Sequence, residues 1–528
     1  MKTPAANNRD TPPPAIACKD RRAAALKSLL KSPLDILVIG GGIVGAGIAR
    51  DAAMRGLRIA LSEQHDFAFG TSSRSSRLLH GGLRYLAQGR LGLVYEGSAE
   101  KRILHRIAPH LAEPLAFVFP TYRGTDWPLW QLRMGIKIYD LLCGGKNLGS
   151  SSAMDREAML ILIPTLKPDK LTGGVRYFDG LTNDARLVLD TLRSAEKRGA
   201  TLLNYLKFKN ARREDGWWVC QLEDHLTGET HEVRARAVVN ATGPWAGGVP
   251  HSHVNLRLTK GIHLVIDRSR LPVPDAVVMT EGKRILFVIP WGQRIILGTT
   301  DTDYEGDLDV VRADFKDISY VLRITNDFFP GVALSETDVN SVWAGLRPLL
   351  ANPNGGPSDI SRSHQITNPE PAWWDVAGGK LTTYRLIAEQ TVDKLVKSLK
   401  KLNTLGTNPG PCRTAEEPLL PVAEISGISG VLPSEFSRRT VEHFCANEWA
   451  VHLEDVMVRR SRWHDYFQDA GQKAEQVADW MAELLGWNST EKASQLESYR
   501  RANNFQIQRP PPATSESQKR DEQSFRVV

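Results

Sequence analysis

Thiol chemistry has little to draw on in this chain. Its 528 residues hold five cysteines, Cys18, Cys143, Cys220, Cys412 and Cys445, far apart and without a CxxC pair. So scattered and odd a set argues against a disulfide framework and against a thiolate metal site. Long apolar runs are also missing. The longest, 36-ILVIGGGIVGAGIA-49, is glycine-rich, bounded by Asp35 and Arg50, and too short to span a bilayer. The amino-terminal residues mix prolines with both charge signs where a secretory signal needs a basic start and an apolar block, so a cytoplasmic site of action is expected. No basic stripe interleaves with aromatics, and the net charge of +7 is spread along the chain, so nucleic acid is not an expected partner. His251 and His253 form an HxH pair with no carboxylate or cysteine at ligand spacing, which reads as a surface loop, and no metal site is expected.

What is present suits a large globular enzyme, with 41% hydrophobic and 24% charged residues. Residues 1–33 read as an extension with a short basic helix over 21-RRAAALKSLLKS-32; packing on its own domain is the commoner fate of such a helix, membrane contact the rarer. Residues 34–407 form one composite region of α/β class, a Rossmann-like unit interleaved with an antiparallel sheet. The Pro/Gly stretch 408-NPGPC-412 opens a helical domain over 408–505, and 506–528 has the composition of a disordered tail.

The chemistry begins at a strand (34–40), a glycine turn, a helix through Gly56 and a second strand (58–63). Gly40, Gly42 and Gly45 fit GxGxxG in the required strand-to-helix context, and Glu63 ends the second strand. Such glycines let backbone approach a pyrophosphate at a helix N-terminus, and the acid can accept ribose hydroxyls. A later strand runs into Ala241-Thr242-Gly243, and a helix follows Gly378-Gly379-Lys380, with Leu381 and Thr382 in its first turn. Together these favour FAD over NAD, with the helix start and Lys380 near the flavin O2 side. The segment 71-TSSRSSRLLHGGLRYL-86 leaves the adenosine end of this unit. Its hydroxyls Thr71, Ser72 and Ser76 are expected near FAD, and His80-Gly81-Gly82 beside the flavin, where side chains would obstruct.

The motifs VIGGGIVGAGIARDAAMRGL, HGGLRYL, TNDARLVLD, NATGPW, KGIHLVI, FVIPW, LGTTD, GLRPL and GGKLTTYR occur in unbroken order over roughly residues 34–395. Their combination resembles the FAD-dependent, quinone-reducing glycerol-3-phosphate dehydrogenases of the D-amino-acid-oxidase-like superfamily. The resemblance implies oxidation of sn-glycerol 3-phosphate at C2 to dihydroxyacetone phosphate, hydride transfer to flavin N5, and electrons passed to a membrane quinone. It also implies peripheral contact with the cytoplasmic face of the plasma membrane, and a homodimer.

Carried over by motif, His263 and Arg347 attend the C2 hydroxyl, Arg84, Tyr85 and Arg362 bind substrate, and Lys380 serves the flavin. These residue types suit such roles, because guanidinium groups hold phosphate by paired donors and histidine accepts a proton near neutral pH. Two alternatives stay open, a glycerol-3-phosphate oxidase using O2 and another FAD-dependent amine or hydroxy-acid oxidoreductase. Departures from the resemblance are the extension over 1–33, Arg74 and Arg77 where relatives often carry small or lysine residues, and a weakly matched C-terminal region without a calcium-binding loop.

Overall fold

The computed structural model describes residues 14–82, 91–142, 147–282, 284–351, 364–401 and 408–503. At its centre lies the strand Leu34–Ile39, almost wholly buried. An apolar run without alternation is what a parallel strand covered on both faces requires. It pairs in parallel with Ile59–Ser62 on one side and Thr230–Asn240 on the other, and Thr230–Asn240 pairs in parallel with Trp373–Gly378. An antiparallel hairpin, Leu206–Glu214 and Trp217–Asp224, extends from Thr230–Asn240, and with Thr201–Leu203 and His364–Glu370 at the two edges the sheet has eight strands among the described residues. The helices Ile43–Met54, Asp184–Lys197 and Tyr384–Lys401 pack on one another and bury their apolar stripes in this core.

Among the described residues the second sheet has ten strands, and Leu256–Asp267, Val339–Leu350, Arg294–Gly298 and Arg284–Trp291 run antiparallel within it as expected. One pair departs from that pattern: Ala276–Glu281 lies parallel to Glu113–Tyr122. The α/β class, with a parallel dinucleotide-type sheet beside an antiparallel one and helices at the C-terminal end, is as read from the sequence.

The basic N-terminal helix spans Pro14–Lys31, beginning earlier than periodicity suggested. It packs on the body of the molecule. Leu29 is buried, Arg21 pairs with Glu196 and lies over the Trp449 ring, and Arg22 pairs with Asp224. At the other end, Arg438–Asn447, Ala470–Leu485 and Ser489–Asn503 surround a core that includes Phe444, Met457, Trp463 and Met481. Buried ion pairs fasten this unit to the first sheet: Arg459 and Arg460 to Asp66, and Arg186 to Glu448. Burial would raise the Glu448 carboxyl, but Arg186, Arg193 and a hydrogen bond from His443 hold it well below the usual range. The expected tail over 506–528 lies outside the described residues.

Candidate active site

Along the central sheet, the C-terminal ends of four strands deliver Glu63, Gly40, Ala241 and Gly378 to one edge, where ligands of open α/β sheets bind. Gly40 has φ +109°, and a Cβ there would lie 2.6 Å from the Ala241 carbonyl oxygen. A Cβ on Gly45 would lie 2.0 Å from the Gly40 oxygen, so turn and helix can close only on glycine. Gly42 caps the helix Ile43–Met54, and the Ile43 amide donates to Ser72 Oγ at 3.0 Å. Glu63 accepts from the Gly41 amide at 2.6 Å and the His65 amide at 2.9 Å, while burial pushes its carboxyl up to about 7. Bare backbone at a helix N-terminus, a hydroxyl and a strand-end carboxyl make a donor and acceptor set that fits a dinucleotide.

The segment from Thr71 passes from this cradle to the second sheet. Thr71 Oγ1 donates to the Leu346 carbonyl at 2.7 Å, and the His80 amide donates to Thr382 Oγ1 at 3.1 Å. The segments around His80 and Leu381 therefore lie side by side. Gly81 donates to Tyr139 Oη at 3.1 Å, and Tyr139 in turn donates to Asp179 at 2.6 Å. Lys101, fully buried, pairs with the same carboxylate at 2.7 Å. A Cβ on Gly81 would sit 2.4 Å from Tyr139 Oη, which explains a glycine there.

Beyond this segment the strands Leu256–Asp267 and Val339–Leu350 set His263 opposite Trp343, Gly261 opposite Gly345 and Thr259 opposite Arg347. Alternate residues share a face, so the glycine pair separates the histidine row from the arginine row. The space forms a cavity of about 220 Å³ that His263, Arg347, Ser76, His80 and Leu381 help to line. His263 is 2% exposed, stacks on Trp343 with centroids 5.2 Å apart, and has Nε2 2.8 Å from Ser76 Oγ. Burial, then the charges of Arg347 and Arg77, hold its pKa well below 6.5, leaving a neutral imidazole able to take a proton. Arg347 donates to Thr299 Oγ1 at 2.9 Å and the Thr300 carbonyl at 3.1 Å, and lies 3.1 Å from Asp301.

A family model described as FAD-dependent oxidoreductase matches residues 35–379, and one described as the C-terminal domain of alpha-glycerophosphate oxidase matches 432–492. The chain is 35% identical over 525 residues to glycerol-3-phosphate dehydrogenase 2 of Mycobacterium tuberculosis, covering 91% of this chain and 89% of that one. It is 38% identical over 384 residues to the aerobic glycerol-3-phosphate dehydrogenase of Staphylococcus epidermidis, covering 71% and 69%. The chain belongs to the FAD-dependent glycerol-3-phosphate dehydrogenase family. FAD is its cofactor. The glycerol-3-phosphate dehydrogenase of Bacillus halodurans, solved with FAD, superposes with a TM-score of 0.74 at 28% identity, covering 94% of this chain and 100% of that one. The L-alpha-glycerophosphate oxidase of Mycoplasma pneumoniae, at 16% identity and a TM-score of 0.57 over 74% of this chain and 99% of that one, shares the fold.

Of the residues singled out from the family motifs, His263, Arg347, Ser76, Thr71, His80 and Leu381 meet at the cavity. Lys380 directly precedes Leu381, at the head of the turn Leu381–Thr383, after Gly378 and Gly379 with φ of +74° and +85°. Thr242 lies beside Gly40 and bonds to Asn240 at 2.7 Å, and Gly243 begins the turn Gly243–Gly248. Gly82 is described, with φ +81°. Arg84, Tyr85 and Arg362 lie outside the described residues. Sequence reasoning missed Arg74 and Ser75 as cavity residues, and Gly261 and Gly345 as its floor. The glycines carried a signal, since glycine inside a strand marks close approach of another group. His251 lies in a turn, as expected, and is half-buried there, its two ring nitrogens bonded to Glu370 and the Ala211 carbonyl, each at 2.9 Å.

Proposed function

We propose that the cavity oxidises sn-glycerol 3-phosphate at C2 to dihydroxyacetone phosphate and that the electrons pass to a membrane quinone. The observation that carries this reading is a buried His263 facing Arg347 across a glycine-floored cavity next to the dinucleotide edge. His263 takes the C2 hydroxyl proton, and Arg347, fixed by Thr299 and Thr300, orients that oxygen. FAD, when bound, supplies the acceptor for the hydride leaving C2. Arg84 and Arg362, assigned from the family motifs, hold the phosphate, Tyr85 contributes to substrate binding, and Lys380 places positive charge on the flavin side.

Support for a membrane acceptor comes from the helix Leu129–Leu142. Its Trp130, Met134, Ile138 and Leu141 are exposed at three- and four-residue spacing, opposite buried Leu132, Ile136 and Tyr139. Arg133 and Lys137 stand exposed among them, and Leu91 and Tyr95 of the neighbouring helix Leu91–Ile107 add further apolar surface. An apolar patch flanked by cations suits an anionic bilayer. Among the described residues no helix is long and apolar enough to cross a membrane. The resemblance of the C-terminal unit to that of an oxidase favours the second reading, in which O2 is the acceptor. Turnover with a quinone analogue, compared with peroxide release in air, separates the two. Reduction of the analogue with little peroxide, together with sedimentation on anionic vesicles, supports quinone; rapid stoichiometric peroxide would assign the oxidase reaction.

A further inference from the structure

Two lines of contact run from the C-terminal helical unit to His263. The first begins at Arg462, just after the π-helical turn Asp455–Arg460, with φ +63° and 1% exposed. Its guanidinium donates to the Ser73 carbonyl at 2.7 Å and pairs with Asp184. Asp184 accepts from the Ser75 amide at 2.9 Å and from Ser75 Oγ at 2.7 Å. The next residue is Ser76, whose hydroxyl lies 2.8 Å from His263 Nε2. The second line begins at Asp465, which pairs with Arg77 at 2.9 Å. The Arg77 guanidinium lies over Trp291 at 4.1 Å and over Trp343 at 4.5 Å. Trp343 stacks on His263 and donates its indole N–H to the Ser75 carbonyl at 3.3 Å. Edge and face of the imidazole are thus both fixed through parts whose far ends lie in the C-terminal unit.

Arg462, Asp184, Arg77 and Asp465 are all buried, where charged hydrogen bonds are strong and directional. Apolar residues would stabilise such a contact at least as well, so the charges serve placement better than stability. We infer that Arg462 is a positioning residue for His263: through Asp184 and Ser75 it fixes the backbone that aims the Ser76 hydroxyl, making the C-terminal unit part of the working site. This rests on the reading of His263 as the proton acceptor.

The test is anaerobic flavin reduction by glycerol 3-phosphate in FAD-loaded wild type, Arg462→Gln, Arg462→Lys, His263→Asn and the double variant Arg462→Gln/His263→Asn. Arg462→Gln is expected to retain FAD and to lower the limiting rate on the order of tenfold to a hundredfold, as small misplacements of reacting groups do. The substrate concentration giving half the limiting rate stays nearly unchanged, and Arg462→Lys recovers part of the loss. In the His263→Asn background Arg462→Gln adds little, because both act through one group. A wild-type rate in Arg462→Gln, or losses that multiply in the double variant, would overturn the inference. Should Arg462→Gln not fold or not load FAD, Ser75→Ala, which removes the hydroxyl bond to Asp184 and keeps the amide one, weakens the same line and takes its place in the cycle, with a smaller loss expected and the same criteria. His263→Asn reducing at the wild-type rate would instead sink the reading of His263, a failure distinguishable from a silent Arg462.

Discussion

Between His263 and Arg347 the paired strands carry glycine on both sides, Gly261 opposite Gly345. A Cβ on Gly261 would lie 2.3 Å from the Arg347 guanidinium. Gly261→Ala should therefore displace that arginine, retain FAD and raise KM on the order of tenfold, equivalent to about 1.4 kcal/mol. Steady-state kinetics beside a flavin spectrum checks it. The depressed pKa of His263 sets a pH signature at the same scale. Its neutral form persists above its own pKa, so kcat/KM should stay level as pH falls to 6.5 and decline only below it. A pH profile already halved at 6.5 would count against His263 as the base. Motif residues such as Gly40 and His263 were legible because their neighbours in sequence define their role. Ser75, Lys101 and Asp179 were not, since each acquires meaning from a partner far along the chain.

The first strand and helix were read from sequence because a buried parallel strand must be an apolar run and the glycine turn must follow it. That turn is a sharp test at the scale of elements. Gly45→Ala places a methyl 2.0 Å from the Gly40 oxygen, so helix and strand must separate. Purified protein should then carry far less FAD than wild type, measured by the ratio of flavin to protein absorbance. The parallel pairing of Ala276–Glu281 with Glu113–Tyr122 escaped reading, because register between distant strands leaves no local pattern. Nor did periodicity single out the helix Leu129–Leu142, whose apolar residues fall on both its buried and exposed faces.

Across the whole molecule, buried charges join units that the sequence presents as separate blocks. Asp66 is fully buried between Arg459 and Arg460. Asp66→Asn takes the carboxylate from buried Arg460, while Arg459 keeps Glu454 and Asp455, and should cost about 3–5 kcal/mol, seen as a lowered Tm. The N-terminal helix is likewise part of the body, through Arg21, Arg22 and Leu29, where composition alone left packing and membrane contact as alternatives. The central proposal is the oxidation of sn-glycerol 3-phosphate at the cavity beside the cofactor edge. Its most direct test is anaerobic addition of sn-glycerol 3-phosphate to the FAD-loaded protein while following flavin absorbance. Prompt bleaching that saturates with substrate is the predicted result. An unbleached flavin, in protein that dithionite still reduces, would contradict it.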